Sequence, residues 1–240
     1  MKKVALVTGG TRGIGESISK LLNENNYTVI ASYNSNDEAA QKFASKNEIE
    51  IEKWDVSSYD ETKTAIEKLK SKYGQIDILV NNAGITKDAP LHKMKKEKWD
   101  AVINVNLNSI FNLTSNVIND MRDNGFGRIV HISSVNGQKG QFGQTNYSAT
   151  KAAMEGFSKS LALESASKGI TSNVISPGYI NTEMVAAIRE DILSNIIETI
   201  PAKRLGESNE IAEMVLYLVS EKAGYINGAT FSINGGLYMD

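Results

Sequence analysis

The feature that most constrains this chain is a regular alternation between short runs of β-branched and apolar residues and longer stretches of helical period. Val4 to Val7, Thr28 to Ala31 and Ile49 to Trp54 carry the strand signal, and Ile14 to Leu22 and Asp37 to Ser45 lie between them with a helical spacing. This βαβαβ order requires a parallel sheet, because each helix returns the chain to the same end of the sheet before the next strand begins. A second half repeats it: a helix from about Ser58 to Tyr73, a strand Ile76 to Asn81, a long helix from about Lys98 to Met121 and a strand Arg128 to Ile132. Next come a helix beginning near Tyr147, a strand Thr171 to Ile175, an irregular region from Pro177 to Arg204, a helix from about Ser208 to Val219 and a strand near Thr230 to Ile233. No repeat, low-complexity tract or linker divides the 240 residues, so residues 1–240 are expected to form one α/β domain, a doubly wound parallel sheet with helices on both faces. Ligands of such sheets bind outside the carboxyl ends of the strands, where strand order reverses.

Composition narrows the chemistry. The 26 basic and 28 acidic side chains give a net charge of -2, which offers no electrostatic footprint for nucleic acid or an anionic membrane. There is no cysteine and there are only two histidines, so thiolate chemistry is excluded and no metal site is expected. The opening Met1-Lys2-Lys3 imitates the charged end of an export signal, but the apolar run that follows stops at Thr8-Gly9-Gly10 and reads as a first strand. With no apolar run near the roughly 18 to 20 residues that cross a bilayer, a cytoplasmic protein acting on a small molecule is expected.

After the first strand stands Thr8-Gly9-Gly10-Thr11-Arg12-Gly13-Ile14-Gly15, a glycine turn opening a helix. Glycines let the backbone approach a pyrophosphate closely, and the helix N-terminus offers free N–H groups and partial positive charge. The second strand ends Ala31-Ser32-Tyr33-Asn34, with no carboxylate to bind an adenosine 2'-hydroxyl or repel a 2'-phosphate. Arg12, beside the turn, is placed to pair with such a phosphate, so NADP(H) is expected over NAD(H). Asp37 lies too far along to serve as the missing acid.

Tyr147 and Lys151 stand four apart on one helix, and a spacing of four puts the phenol and the ammonium on one face. A cation about 4 Å away at an effective dielectric of about 20 favours phenolate by about 4 kcal/mol, opposed by desolvation. Lys151 is therefore expected to draw Tyr147 toward neutrality and make it a general acid for a carbonyl oxygen. Ser134, at the end of the strand Ile129-Val130-His131-Ile132, is placed to hold that oxygen. The small residues of Asn81-Asn82-Ala83-Gly84 let the backbone run close to a cofactor ribose.

The glycine turn, Asp55-Val56, Asn81-Asn82-Ala83-Gly84, Asn104-Val105-Asn106-Leu107, the serine, Tyr147-x-x-x-Lys151 and Ser176-Pro177-Gly178 occur in one order over nearly the whole chain. In this the chain resembles the short-chain dehydrogenases/reductases, which have a Rossmann fold. The resemblance implies a catalytic tetrad of Asn106, Ser134, Tyr147 and Lys151, with Asn106 holding a proton-relaying water and Lys151 binding the nicotinamide ribose. It also implies cofactor contacts from Gly9, Thr11, Arg12, Gly13, Ile14, Gly15, Asp55, Val56, Asn82, Ala83, Gly84, Pro177, Gly178 and Ile180, and assembly as a homotetramer.

The segment Val135 to Asn146 joins the serine to the tyrosine and must rim the reacting carbonyl. Its Gln141 and Gln144 suit polar amides such as those of pantetheine, and Phe142 offers an apolar wall. This stretch is similar to that of reductases acting on acetoacetyl-CoA in polyhydroxybutyrate synthesis, which implies that Asp88, Gln141, Phe142, Gln144 and Tyr179 line an acyl-CoA path to a (3R)-3-hydroxyacyl-CoA. The alternative is a 3-oxoacyl-acyl-carrier-protein reductase of fatty acid synthesis, which would need a basic docking surface; Arg122 and Lys168 are candidates, diluted by Asp123. A non-catalytic NADP-binding regulatory protein is a remoter alternative. Residues 184–200, with Arg189, Glu190 and Asp191 between apolar turns, are expected to form a lid over the acyl chain.

Overall fold

The computed structural model of the chain describes residues 2–186 and 188–239, and for Met184 the backbone only. Its strands are β1 (Val4–Val7), β2 (Thr28–Tyr33), β3 (Glu50–Lys53), β4 (Ile78–Asn81), β5 (Gly127–Ile132), β6 (Ile170–Pro177) and β7 (Thr230–Ile233). They form one parallel sheet in the order β3-β2-β1-β4-β5-β6-β7. Strand order reverses at β1, which pairs with β2 on one side and β4 on the other, so the crevice of the doubly wound sheet opens beyond Val7 and Val80.

The helices are α1 (Gly13–Glu24), α2 (Asp37–Asn47), α3 (Tyr59–Tyr73), α4 (Lys96–Ile103), α5 (Ser109–Asn124), α6 (Val135–Lys139), α7 (Thr145–Ser165), α8 (Glu183–Ala186), α9 (Glu190–Thr199) and α10 (Ser208–Val219). Strand side chains alternate between two apolar layers, as a sheet covered on both faces requires. Ala5 and Val7 of β1 pack with Ile18 and Leu22 of α1 and Ile211 and Val215 of α10, whereas Val4 and Leu6 pack with Ile66 and Leu69 of α3 and Leu113 and Val117 of α5. Local signals set the helix starts: the Ser58 hydroxyl accepts from the Glu61 N–H at α3, and Glu207 with Glu210 forms a capping box at α10.

Three expectations are corrected. The long helix expected from Lys98 to Met121 is broken into α4 and α5 by a π-helical turn at Asn104–Asn108. The wider turn turns Asn106 fully into the interior, where its amide bonds both backbone groups of Ile85, a tertiary gain that helical period does not reveal. The region expected to be irregular from Pro177 to Arg204 contains α8 and α9; Ile192, Leu193, Ile196 and Ile197 give α9 its period, and Glu190 and Asp191 favour its N-terminus. Of the lid expected at 184–200, Ala187 and the Met184 side chain lie outside the described residues. The rim segment between Ser134 and Tyr147, read as loop, begins with α6, capped by Ser134 itself. No helix among the described residues is long and apolar enough to cross a membrane, and no group of three or more metal-ligating side chains is found among them.

Gly10 shows how tightly the first turn is packed, since a Cβ there would lie 2.7 Å from the Val7 carbonyl oxygen and 2.8 Å from both Ala31 Cβ and Ser19 Oγ. Gly10→Ala is expected to destabilise the fold by about 1–3 kcal/mol through overpacking. Urea denaturation checks this, and an unchanged midpoint would contradict the packing described.

Candidate active site

Two groups of residues meet at the carboxyl edge of the sheet. The first is the glycine turn. Gly9 and Gly13 adopt positive φ of 60° and 54°, and a side chain on Gly15 would strike the Gly9 carbonyl. Thr8 fixes this turn to β4: its hydroxyl accepts from the N–H groups of Asn82 and Ala83, each at 3.0 Å, and donates to the Val80 carbonyl at 3.3 Å. The Asn82 side chain completes the latch by donating to the carbonyls of Thr8 and Gly9. Arg12 precedes α1 without capping it, so no side chain there occupies the first N–H groups of the helix. The cradle thus fits an anionic dinucleotide, and Thr182 forms its far wall, 3.6 Å from where a Gly13 Cβ would stand.

The second group gathers between β5 and α7. Lys151 is buried and donates from Nζ to the Ile132 carbonyl at 2.7 Å, while the Ser133 hydroxyl donates to the Lys151 carbonyl at 2.8 Å. That pair welds strand to helix and separates the two serines: Ser133 bonds the helix backbone, whereas Ser134 stands by Tyr147 and lowers its phenol against the rise caused by burial. The Ser134 oxygen accepts from the Asn136 N–H at 3.1 Å. Gly137 lets α6 lie against α7, since a Cβ there would come within 2.8 Å of Lys151 Cβ. Asn106 lies beside them, with Gly84 between it and Lys151.

Electrostatics departs from the sequence expectation. Lys151 was expected to lower Tyr147; instead burial raises the phenol, the Ser134 hydrogen bond pulls it down, and Asp88 raises it further. Burial also lowers Lys151 itself to about 7, so near neutral pH the ammonium carries only part of its charge, 5.5 Å from the tyrosine ring centroid. Distances in sequence reveal the pairing but not the desolvation that acts on both partners. Asn106 differs as well: its Oδ1 accepts from Ile85 N–H at 2.8 Å and its Nδ2 donates to the Ile85 carbonyl and Thr150 Oγ1, so its side chain is committed to protein groups.

Other expected residues divide by where their side chains go. Asp55 accepts from the Ser57 N–H and hydroxyl, Asn112 holds the Val56 carbonyl at 3.0 Å, and the Val56 and Ile180 side chains are turned into the core. Asp88, Gln144 and Tyr179 are brought together around Asn136. Gln141 and Tyr179 line a cleft of about 340 Å³ with Lys139, Ile192, Ile196 and Leu237, whereas Phe142 stands 85% exposed on the rim and builds no wall in this structure. Thr8, Asn112 and Asn136 went unread as site residues; the side-chain bonds that reveal them join segments far apart in sequence or within the rim.

A parallel sheet with a glycine cradle at its switch point and a Ser–Tyr–Lys cluster beside it defines an oxidoreductase dependent on a nicotinamide dinucleotide. A family model described as enoyl-(acyl carrier protein) reductase matches residues 9–238. The chain belongs to this family of short-chain dehydrogenases/reductases. It is 57% identical to an acetoacetyl-CoA reductase of Shinella zoogloeoides and 54% identical to one of Rhizobium meliloti (strain 1021), each over 240 residues and all of both chains. It is also 44% identical over 239 residues to a 3-oxoacyl-[acyl-carrier-protein] reductase of Haemophilus influenzae, covering 99% of this chain and 98% of that one.

Replacing the buried amine tests the burial of Lys151. A lysine with a folded pKa near 7 and an unfolded value near 10.5 binds fewer protons in the folded state between those values. Its contribution therefore becomes more favourable as pH rises from about 7 toward 10.5 and is flat below 7. Lys151→Met in cofactor-free protein should change Tm more favourably at pH 6 than at pH 9. A change independent of pH would contradict the depressed pKa.

Proposed function

We propose that the protein reduces 3-oxoacyl-CoA thioesters, acetoacetyl-CoA foremost, to (3R)-3-hydroxyacyl-CoA with NADPH. The observation that carries this reading is the joining of Ser134, Tyr147 and Lys151 at the carboxyl edge to a polar rim of Asp88, Gln144, Asn136 and Tyr179. The names of the relatives supply the thioester class.

NADPH supplies the hydride when bound. The backbone at Gly9, Thr11, Gly13, Ile14 and Gly15 would hold its pyrophosphate, Asp55 and Val56 would border adenine, and Asn82, Ala83 and Gly84 would follow the ribose side. Pro177, Gly178 and the Ile180 backbone would flank the nicotinamide. Arg12 is exposed with no ion-pair partner among the described residues, which suits a 2'-phosphate. Asp37, the nearest carboxylate after β2, is occupied by Lys53 at 2.8 Å and by Tyr33.

Tyr147 donates its phenolic proton to the substrate carbonyl oxygen, and its raised pKa keeps that proton in place until the oxygen becomes basic. Ser134 accepts the Asn136 N–H, which leaves its own O–H to donate to the same oxygen. Lys151, 5.5 Å from the phenol ring centroid, would stabilise the phenolate once formed and would help hold the nicotinamide ribose. Asn106 acts through Ile85 and the backbone of its π-turn rather than by a free side chain.

CoA is favoured over a carrier protein because Arg122 already donates to the Glu164 carbonyl at 3.0 Å and stands beside Asp123, leaving a weak basic surface. Exposed Phe111 on α5 and Leu163 on α7 suit association of these helices, so a homotetramer is the proposed assembly, in the cytoplasm and supplying polyhydroxybutyrate monomers.

Tyr147→Phe is expected to lower kcat with acetoacetyl-CoA by about a hundredfold to ten-thousandfold, the range of general acid catalysis. Wild-type turnover in that variant would overturn the assignment of Tyr147 as the proton donor. Arg12→Ala should raise KM for NADPH by about tenfold or more while leaving KM for NADH nearly unchanged, since one charge-assisted phosphate contact is lost. An equal effect on both cofactors would remove Arg12 from the 2'-phosphate.

A further inference from the structure

The polar rim of the cleft contains a chain of hydrogen bonds whose direction is fixed from one end. The Asp88 carboxylate only accepts, so the Gln144 amide must present Nε2 to it, at 2.9 Å. Gln144 Oε1 then faces Asn136, whose Nδ2 must donate to it, at 3.0 Å. Tyr179 lies nearby, its phenol raised by burial and lowered by the Asn136 amide. The Asn136 backbone N–H meanwhile donates to the Ser134 oxygen. One residue, only 8% exposed, thus joins Ser134 to the Gln144–Asp88 arm of the rim.

This arrangement leaves Asn136 Oδ1 buried without a partner among the described residues. An unsatisfied buried acceptor lowers stability, and an apolar side chain of the same shape would avoid that loss. The amide thus leaves its own oxygen unpaired for the sake of one bond to Gln144, a bond that serves the rim rather than the core. Asn136 gives Gln144 a donor and, through its backbone N–H, ties that pair to the segment that aims Ser134.

We propose that Asn136 is the positioning residue for the thioester end of the substrate. It relays the fixed polarity of Asp88 through Gln144 and, by its backbone N–H, holds that rim in register with Ser134. The proposal rests on the reading of the protein as a 3-oxoacyl thioester reductase and adds what orders its substrate rim.

The relay makes a polarity prediction that simple packing does not. Asn136→Asp places a carboxylate against the Gln144 carbonyl and breaks the chain. In the double variant Asp88→Asn, Asn136→Asp the chain can run backwards, with Gln144 turned so that Nε2 donates to position 136 and Oε1 accepts from position 88. Asn136→Asp is expected to lower kcat/KM for acetoacetyl-CoA by about tenfold or more, mainly through KM, with KM for NADPH within about twofold; the double variant should recover about fivefold over that single variant. Asn136→Leu should keep or raise Tm while raising KM for acetoacetyl-CoA. A double variant no better than the single, or Asn136→Leu that loses Tm while keeping its KM, would overturn the relay. Wild-type protein inactive on acetoacetyl thioesters would overturn the functional reading and this proposal with it, an outcome distinct from active wild-type protein without rescue.

Discussion

Two crossed hydrogen bonds between the end of β5 and the second turn of α7 hold the site in place. Lys151 donates from its side chain to the Ile132 carbonyl, and its own carbonyl accepts from Ser133. With strand and helix locked at these two points, Ser134 and Tyr147 face one another, and Gly137 brings α6 down onto α7. The same contacts bury the lysine, which is why its pKa falls to about 7 and why it cannot be treated as a fixed positive charge beneath the phenol.

A comparable lock operates at the switch point. Thr8 and Asn82 tie the glycine turn to the end of β4, so the cradle that would receive the pyrophosphate and the segment leading to Gly84 move as one body. Gly84 in turn lies against Asn106 and Lys151. The glycine cradle and the Ser134–Tyr147–Lys151 cluster are therefore joined through short backbone segments and buried side chains rather than through the exposed rim. The rim borders a cleft bounded by α9, none of whose residues is buried, which suits a part that adapts to its ligand.

Alternating period made the sheet and its strand count legible in the sequence, because both faces are covered and the strands had to read as apolar runs. The glycine turn and the Tyr147–Lys151 spacing were legible for similar reasons, each being local in sequence with a conformational requirement. The π-turn at Asn106 was not, because what favours it is a contact with Ile85, 21 residues away. Thr8, Asn112 and Asn136 escaped notice because their partners decide their roles, and hydroxyls and amides look alike on paper whether they face solvent or a buried carbonyl. The charge states of Tyr147 and Lys151 escaped for another reason: spacing gives the attraction between two groups, whereas desolvation depends on everything packed around them.

In the proposed reaction the carbonyl oxygen meets two hydroxyls at once, and the rim beside them is polar along one side and lined by Ile192, Ile196 and Leu237 on another, which suits the proposed acyl thioester. The most direct measurement is the rate of NADPH oxidation by purified protein with acetoacetyl-CoA and, at matched concentration, with acetoacetyl-acyl-carrier protein. The account predicts a clearly higher kcat/KM for the CoA ester. Preference for the carrier protein would contradict it and make the polar rim a feature common to both kinds of reductase.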